Sequence, residues 1–196
     1  ALAPALYGEA EWLRRDPAQW TSGQVDEILN RSPWTREVPL EIDPSAWGDA
    51  KKANPTEYTV QVSWDSALPL RLARRHPPAE GKEADFYVVS VGRLPLSYLG
   101  ASSGRLSGSG LTPPEVVEQL IKSASIERDG KDSIRAVSAE WLYDYYTARV
   151  AVRFPRGRQP IERSDFEVTV RGRVGTLRFR ARFSLKPMIY RGRLEL

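Results

Sequence analysis

Residues 177–185 read LRFRARFSL, and this stretch decides the fold. Its apolar residues alternate with Arg178, Arg180 and Arg182. A period of two is typical of a β-strand with one buried face and one solvated face, because successive side chains point to opposite sides of the backbone. The stretch therefore predicts a strand that buries Leu177 and Phe179 and carries a stripe of arginines on its outer face.

The second half of the chain contains further segments with the same alternation. Strands are predicted at residues 137–141, 146–154 and 166–170, with one more near the C-terminus. Asp129-Gly130 suits a tight hairpin turn, and Gly172 is predicted to turn the chain into the arginine-striped strand. Strands that follow one another at hairpin spacing pair antiparallel, so we expect an antiparallel sheet.

The first half of the chain predicts three more strands. Residues 58–64 alternate between apolar and polar side chains, as in a half-buried strand. Residues 86–91 are apolar almost throughout, which fits a strand that is covered on both faces. Residues 38–42 also alternate, but Pro39 has no backbone N–H to donate, so this segment is predicted to be an edge strand or an extended arm.

Two capping boxes predict the beginnings of helices. Thr21 precedes Gln24, and Thr112 precedes Glu115, at the spacing that lets each side chain bond the backbone of its partner. Ser66 suits the N-cap of a short helix. With the strands, these helices predict a mainly β (α+β) fold, either an antiparallel β-sandwich or a curved sheet with two or three peripheral helices.

The 196 residues are enough for one sizeable core, and 41% of them are hydrophobic and 28% charged. This composition is typical of globular rather than disordered chains. We predict a single domain over residues 1–196, with a helical N-terminal decoration at 1–36 and a mobile loop, rich in serine and glycine, at 97–112. The longest uncharged stretch, residues 94–104, is too short to span a bilayer, so no transmembrane segment is expected.

Few residues are suited to catalysis or metal binding. The sequence has no cysteine and a single histidine, His76, which excludes thiolate chemistry and a zinc site with several histidines. We predict no cofactor and no metal site. Carboxylates that act as an acid and a base remain an alternative, with the candidate pairs Glu140 and Asp144 or Asp43 and Asp49.

Positive charge is concentrated near the C-terminus. Residues 163–196 carry a net charge of +6, whereas the first 162 residues carry −2. Such an asymmetry predicts a surface that meets an anionic partner. The predicted anion-binding residues are seven arginines: Arg171, Arg173, Arg178, Arg180, Arg182, Arg191 and Arg193. No interleaved aromatic residue is predicted on the same face as these arginines, and this makes nucleic acid an unlikely partner.

An aromatic cluster precedes the arginine-rich segment. Trp141, Tyr143 and Tyr145 would share one face of a strand that ran unbroken through Asp144. Aromatic rings on an open sheet face stack on sugars or bases, whereas rings on an inner face belong to the core. The three side chains are therefore candidate contact residues, and packing in the core or at its rim is the alternative.

Two parts of the chain carry short, distinctive runs of residues: Trp20-Thr21, Val25, Ile28-Leu29 and Ser32-Pro33-Trp34 near the start, and Phe154-Pro155-Arg156 with residues 183–196 later. Together they resemble the signature of a family of uncharacterised, predicted exported bacterial proteins. The resemblance implies a leader peptide before Ala1 and an extracytoplasmic location, either periplasmic or secreted, and it implies no activity.

These observations predict a non-enzymatic, exported binding module. Its partner would be an anionic polymer or membrane headgroups, held by the arginine-striped sheet face. A carboxylate-dependent hydrolase is the alternative, and a nucleic-acid-binding protein is the second alternative.

Overall fold

The computed structural model of the protein describes residues 10–42, 58–76, 80–94, 112–144 and 147–196. In this part of the chain there are two five-stranded sheets, a two-stranded hairpin and three α-helices. The predicted mainly β fold with antiparallel sheets is confirmed. Residues 97–111 of the predicted loop lie outside the described ranges, and so do Asp43, Asp49 and Tyr145.

In chain order the elements are α1 (Ser22–Arg31), β1 (Thr35–Pro39), β2 (Glu41–Ile42), β3 (Thr59–Trp64), α2 (Leu68–Ala73), β4 (Phe86–Gly92), α3 (Pro113–Ser123), β5 (Ser125–Arg128), β6 (Lys131–Arg135), β7 (Ser138–Asp144), β8 (Thr147–Pro155), β9 (Glu167–Val174), β10 (Leu177–Ser184), β11 (Ile189–Tyr190) and β12 (Arg193–Leu194). The first sheet has the order β1-β3-β4-β8-β7, and the second has the order β2-β10-β9-β5-β6. The strands β11 and β12 pair only with each other.

The chain crosses directly from one sheet to the other at both pairs of edge strands, β1 with β2 and β6 with β7. On one side, β1 of the first sheet leads into β2 of the second through Leu40, whose N–H donates to the Tyr58 carbonyl at 2.9 Å. On the other side, β6 leads into β7 through Ala136 and Val137, and the Val137 N–H donates to the Arg153 carbonyl at 3.0 Å. The predicted edge strand at residues 38–42 is therefore two short edge strands, one in each sheet.

A single hydrophobic cluster joins the two sheets. Trp64 of the first sheet meets Phe183 of the second edge to face, with 5.8 Å between ring centroids, and meets Tyr87 in the same way at 5.9 Å. In β10 buried and exposed residues alternate along the whole strand, as the sequence predicts. The arginines of β10 therefore lie on the outer face of the second sheet.

Gly172 does not turn the chain, so that prediction is wrong. It lies inside β9, directly opposite Phe179 of β10, and the turn between the strands is at Gly175, where φ is +60°. A Cβ on Gly172 would lie 2.5 Å from Cζ of Phe179. Glycine occupies this position because the phenyl ring lies against the backbone.

Both predicted capping boxes are present. The Thr21 hydroxyl accepts from the Gln24 N–H at 3.3 Å, and the Thr112 N–H donates to the Glu115 carboxylate at 2.8 Å. The short helix α2 is also present, but its N-cap is Ala67 rather than Ser66. No helix in the described ranges is long and apolar enough to cross a membrane.

Candidate anion-binding face

The structure divides the seven predicted arginines into two groups. Arg171 and Arg173 of β9 lie beside Arg178, Arg180 and Arg182 of β10, and together they form what we call the arginine face. Arg191 and Arg193 belong to the separate β11–β12 hairpin and do not pair with the second sheet.

Within the arginine face, like charges are placed directly opposite each other. Arg178 is the cross-strand partner of Arg173, and Arg180 is the partner of Arg171. Side chains opposite each other in an antiparallel pair have Cβ atoms only about 5 Å apart, so like charges in these positions repel. The two adjacent pairs make a block of four arginines whose mutual repulsion is reduced by nearby anions.

Carboxylates of the protein neutralise part of this charge. Arg178 Nε lies 3.0 Å from a Glu41 oxygen, and Arg171 Nη2 lies 2.8 Å from a Glu127 oxygen. Both ion pairs are solvent-exposed, and pairs of this kind contribute at most about 1 kcal/mol to folding. Within the described part of the chain, Arg180 has no ion-pair partner.

A groove of 460 Å³ follows the arginine block. Among its described lining residues there are four arginines, Arg171, Arg173, Arg178 and Arg180, and one acid, Glu41. Gly172 and Phe179, whose side chain points to the buried face of the sheet, also line it. The groove is therefore an open, shallow and strongly cationic surface rather than an enclosed reaction site.

A second groove, of 720 Å³, begins at the other side of Arg180 and has a different character. Its charged lining residues of both signs nearly balance: Glu127, Arg128, Asp129, Lys131, Asp165, Glu167 and Arg180. Lys131 Nζ lies 2.6 Å from the carboxylate of Asp165, whose side chain is 2% exposed. The second groove therefore adds little cationic surface beyond Arg180 itself.

Asp165 is poorly suited to act as a general acid. Burial alone would raise the pKa of this carboxyl, but hydrogen bonds from the Glu162 backbone N–H and the Lys131 ammonium lower the pKa below its ordinary value. A catalytic acid near neutral pH needs a raised pKa. Asp165 is an ionised structural carboxylate that fixes the turn before β9.

The aromatic candidates are only partly described. Trp141 of β7 lies opposite Val150 of β8 and packs, partly buried, against the hydrophobic core. The side chain of Tyr143 lies outside the described part of the structure, as does the whole of Tyr145. Glu140, on the opposite face of β7, forms an exposed ion pair with Arg153 at 3.0 Å.

A polar cluster on the outer face of the first sheet was not predicted. Ser63 of β3 and Ser90 of β4 are cross-strand partners, and both hydroxyls donate to the same oxygen of Asp65 at 2.9 Å. Asp65 also forms ion pairs with Arg74 at 2.7 Å and Arg149 at 3.7 Å. The signal was Ser90 inside the apolar β4 segment and Ser63 on the polar side of β3, but the sequence does not give the register that brings them together.

This polar cluster is not arranged for nucleophilic catalysis. A serine nucleophile needs a base that takes its proton, usually an imidazole. His76 lines the same cleft, yet among the described residues no hydrogen bond joins its ring to either serine. The Asp65 carboxylate is fully occupied by two hydroxyls and two guanidinium groups, so the cluster is explained by structure alone.

No group of three or more histidine or acidic side chains within the described ranges is placed to hold a metal ion. Comparisons with protein-family models, curated proteins and solved structures give no match.

Proposed function

We propose that the protein is an exported, non-enzymatic binding module whose arginine face holds an anionic polymer. The observation that carries this proposal is the block of four arginines in which Arg178 faces Arg173 and Arg180 faces Arg171. Export is expected from the sequence resemblance described above.

The electrostatics of the block favour an added anion. Glu41 and Glu127 each form an ion pair with one arginine of the block, and Arg180 has no ion-pair partner among the described residues. An anion placed over the groove would relieve the repulsion between opposite arginines and form charge-assisted hydrogen bonds with several guanidinium groups at once. The repulsion in the unbound protein thus becomes part of the binding free energy.

The geometry of the face favours a polymer with regularly spaced charges. Alternate residues along one strand are roughly 7 Å apart, so Arg178, Arg180 and Arg182 present a row of evenly spaced cations. A flat, open row can contact successive sulfate, phosphate or carboxylate groups of an extended chain. Among the described residues no exposed aromatic side chain lines the groove along the arginine block, and the exposed Phe166 lies in the second groove beside Arg180, so the block itself offers charge rather than a stacking surface.

Retention on immobilised heparin tests this proposal. The triple variant Arg178→Gln, Arg180→Gln, Arg182→Gln should leave the column at a much lower salt concentration than the wild type, because exposed charge–charge attraction is screened by salt. The matched control is Arg31→Gln, Arg93→Gln, Arg158→Gln, which removes the same net charge from residues outside the arginine face.

The control variant should leave the column close to the wild type. An equal loss of retention in the two triple variants would show that only net charge matters and would overturn the proposal. Competition with single-stranded DNA addresses the nucleic-acid alternative, because a nucleic-acid-binding protein should prefer the DNA over heparin of equal charge concentration.

A further inference from the structure

Phe166 is the most exposed large apolar side chain in the described part of the chain, at 78% exposure. It directly precedes β9, in which Val168 and Val170 are buried. Alternation along an unbroken strand would place residue 166 on the same buried face. The ring lies at the surface instead, where it lines the second groove beside Arg180.

The backbone of Phe166 has an unfavourable conformation in this position. Its φ is +54° and its ψ is −51°, a combination that the Cβ of an L-residue disfavours. Hydrogen bonds hold it from both sides, because the Phe166 N–H donates to the Arg163 carbonyl at 3.3 Å and the Phe166 carbonyl accepts from the Leu185 N–H at 2.8 Å. A strained residue that is fixed in this way, with its apolar ring in water, indicates a use for the ring.

Phe166 lies close to the end of the row of arginines on β10. The β9–β10 register pairs Glu167 with Ser184, and the hydrogen bond between Leu185 and Phe166 continues this pairing by one residue. Leu185 follows Arg182 by three residues, which is about 10 Å of extended strand. A polymer held by the arginines of β10 would therefore reach the ring.

The second groove around Phe166 offers acceptors as well as cations. Three solvent-accessible carboxylates line it, those of Glu127, Asp129 and Glu167. They would repel a ligand segment with a sulfate or phosphate on every unit, whereas hydroxyl groups can donate hydrogen bonds to carboxylate oxygens. The groove therefore favours a segment that carries hydroxyls next to the anionic groups bound by the arginine face.

We propose that Phe166 is a sugar-stacking contact at the end of the arginine face, and that the anionic polymer is a polysaccharide. The inference rests on the proposed function, because the arginines of β10 must bring the polymer to the ring. One sugar would place its C–H face on the phenyl ring, whose negative face attracts polarised hydrogens. Its hydroxyls would donate to the carboxylates of the second groove, and an adjacent anionic group would pair with Arg180.

A single-stranded nucleic acid fits this surface less well. Proteins that bind such strands stack successive bases on several aromatic side chains along a positively charged groove. In the described part of the two grooves, Phe166 is the only exposed aromatic side chain, and it lies among carboxylates that would repel a regular row of phosphates.

Isothermal titration with a heparin oligosaccharide tests the contact. Phe166→Ala should bind about three- to tenfold more weakly than the wild type, which corresponds to the loss of one aromatic contact. Two variants at the same position serve as matched controls. Phe166→Tyr keeps the flat ring and should bind like the wild type, whereas Phe166→Leu keeps an apolar side chain without a ring and should bind as weakly as Phe166→Ala.

Linear polyphosphate separates the ring from the charges, because it is a polyanion without sugars. Phe166→Ala should bind polyphosphate like the wild type. The triple variant Arg178→Gln, Arg180→Gln, Arg182→Gln should bind both ligands more weakly. The triple variant should also show a weaker dependence of heparin affinity on salt, since that dependence follows the number of neutralised charges, and Phe166→Ala should keep the wild-type dependence.

Phe166→Gly shows whether a loss of binding is a loss of folding. Glycine adopts the positive φ without strain, so this variant should unfold at a urea concentration no lower than that of the wild type. It should nevertheless bind the heparin oligosaccharide as weakly as Phe166→Ala.

Three results would overturn the sugar-stacking contact: wild-type affinity of Phe166→Ala for the heparin oligosaccharide, an equal loss for polyphosphate, or a larger loss for single-stranded DNA than for heparin. The first of these, together with a loss in the triple variant, would remove the contact and leave the arginine face intact. Wild-type affinity of the triple variant would instead overturn the proposed function itself, so the two failures are distinguishable.

Discussion

The phenyl ring of Phe179 lies against the backbone of Gly172, its partner across the β9–β10 pair. An added Cβ would lie 2.5 Å from Phe179 and 3.3 Å from Leu120 of α3. Phe179 is buried between the sheet and this helix, so the ring has little space to move away.

Gly172→Ala should therefore destabilise the fold by about 1–3 kcal/mol, the usual cost of forcing extra volume into a packed core. Urea titration of the purified variant measures the effect. Gly23→Ala in α1 is a suitable control, because a Cβ there has its nearest contact at 4.0 Å. A Gly172→Ala variant as stable as the wild type would contradict the close approach.

Phe179 and its strand neighbour Arg180 should respond differently to truncation. Phe179→Ala removes a buried ring and should cost about 3–5 kcal/mol, whereas Arg180→Ala removes an exposed side chain and should change stability by less than about 1 kcal/mol. The two unfolding free energies can be compared in urea. Equal losses would be incompatible with the register of β10.

The ionised Asp165 makes stability depend on pH. Its pKa is lower in the folded protein than its ordinary value, so the carboxylate stabilises the fold at neutral pH, and this contribution is lost as the pH falls through the folded-state pKa. Asp165→Asn should cost about 1–3 kcal/mol at pH 7, because it leaves Lys131 without its partner.

The difference between wild type and Asp165→Asn should then shrink below about pH 4, where Asp165 of the unfolded chain begins to take up its proton, because the folded carboxyl has a lower pKa and is protonated only at a still lower pH. Unfolding free energies measured in urea at several pH values test this. The exposed Asp129→Asn serves as the control and should show little dependence. If the difference in unfolding free energy between wild type and Asp165→Asn stayed constant down to about pH 2, the assigned role of Asp165 would be excluded.

The Asp65 cluster should contribute far more than the exposed ion pair on the same sheet. Asp65 and Arg74 have side chains only 10% and 14% exposed, so Asp65→Ala leaves buried cations and hydroxyls without an acceptor. A loss of about 3–5 kcal/mol is expected. Glu140→Ala, which breaks the exposed pair with Arg153, should cost less than about 1 kcal/mol, and thermal or chemical unfolding can rank the two.

Local patterns predicted the elements of this fold well, and three-dimensional neighbours poorly. The alternation at residues 177–185 is sufficient for β10 and its outward arginines, because the period of two depends only on backbone geometry. Gly172 was misassigned because glycine serves both turns and close approaches, and only the cross-strand partner Phe179 distinguishes these uses.

The predicted site residues show the same difference between local patterns and three-dimensional neighbours. Arg178 lies beside Arg173 because the turn is at Gly175 rather than at the predicted Gly172, and Arg191 lies in another hairpin although it is close in sequence. One cleft is lined by Trp12, Trp34 and Arg191, which are far apart along the chain. Such a combination depends on tertiary packing, which no local pattern encodes.

Two of the segments that cross between the sheets, at Leu40 and at Ala136-Val137, are only one and two residues long, and they bear on how the protein opens. Each segment continues an edge strand of one sheet directly into an edge strand of the other. One sheet therefore cannot move away from the other without breaking hydrogen bonds between strands in both sheets. Partial opening is therefore costly compared with complete unfolding. The slowest-exchanging amides of β4 and β9, which lie in different sheets, should consequently share one opening free energy in native-state hydrogen exchange.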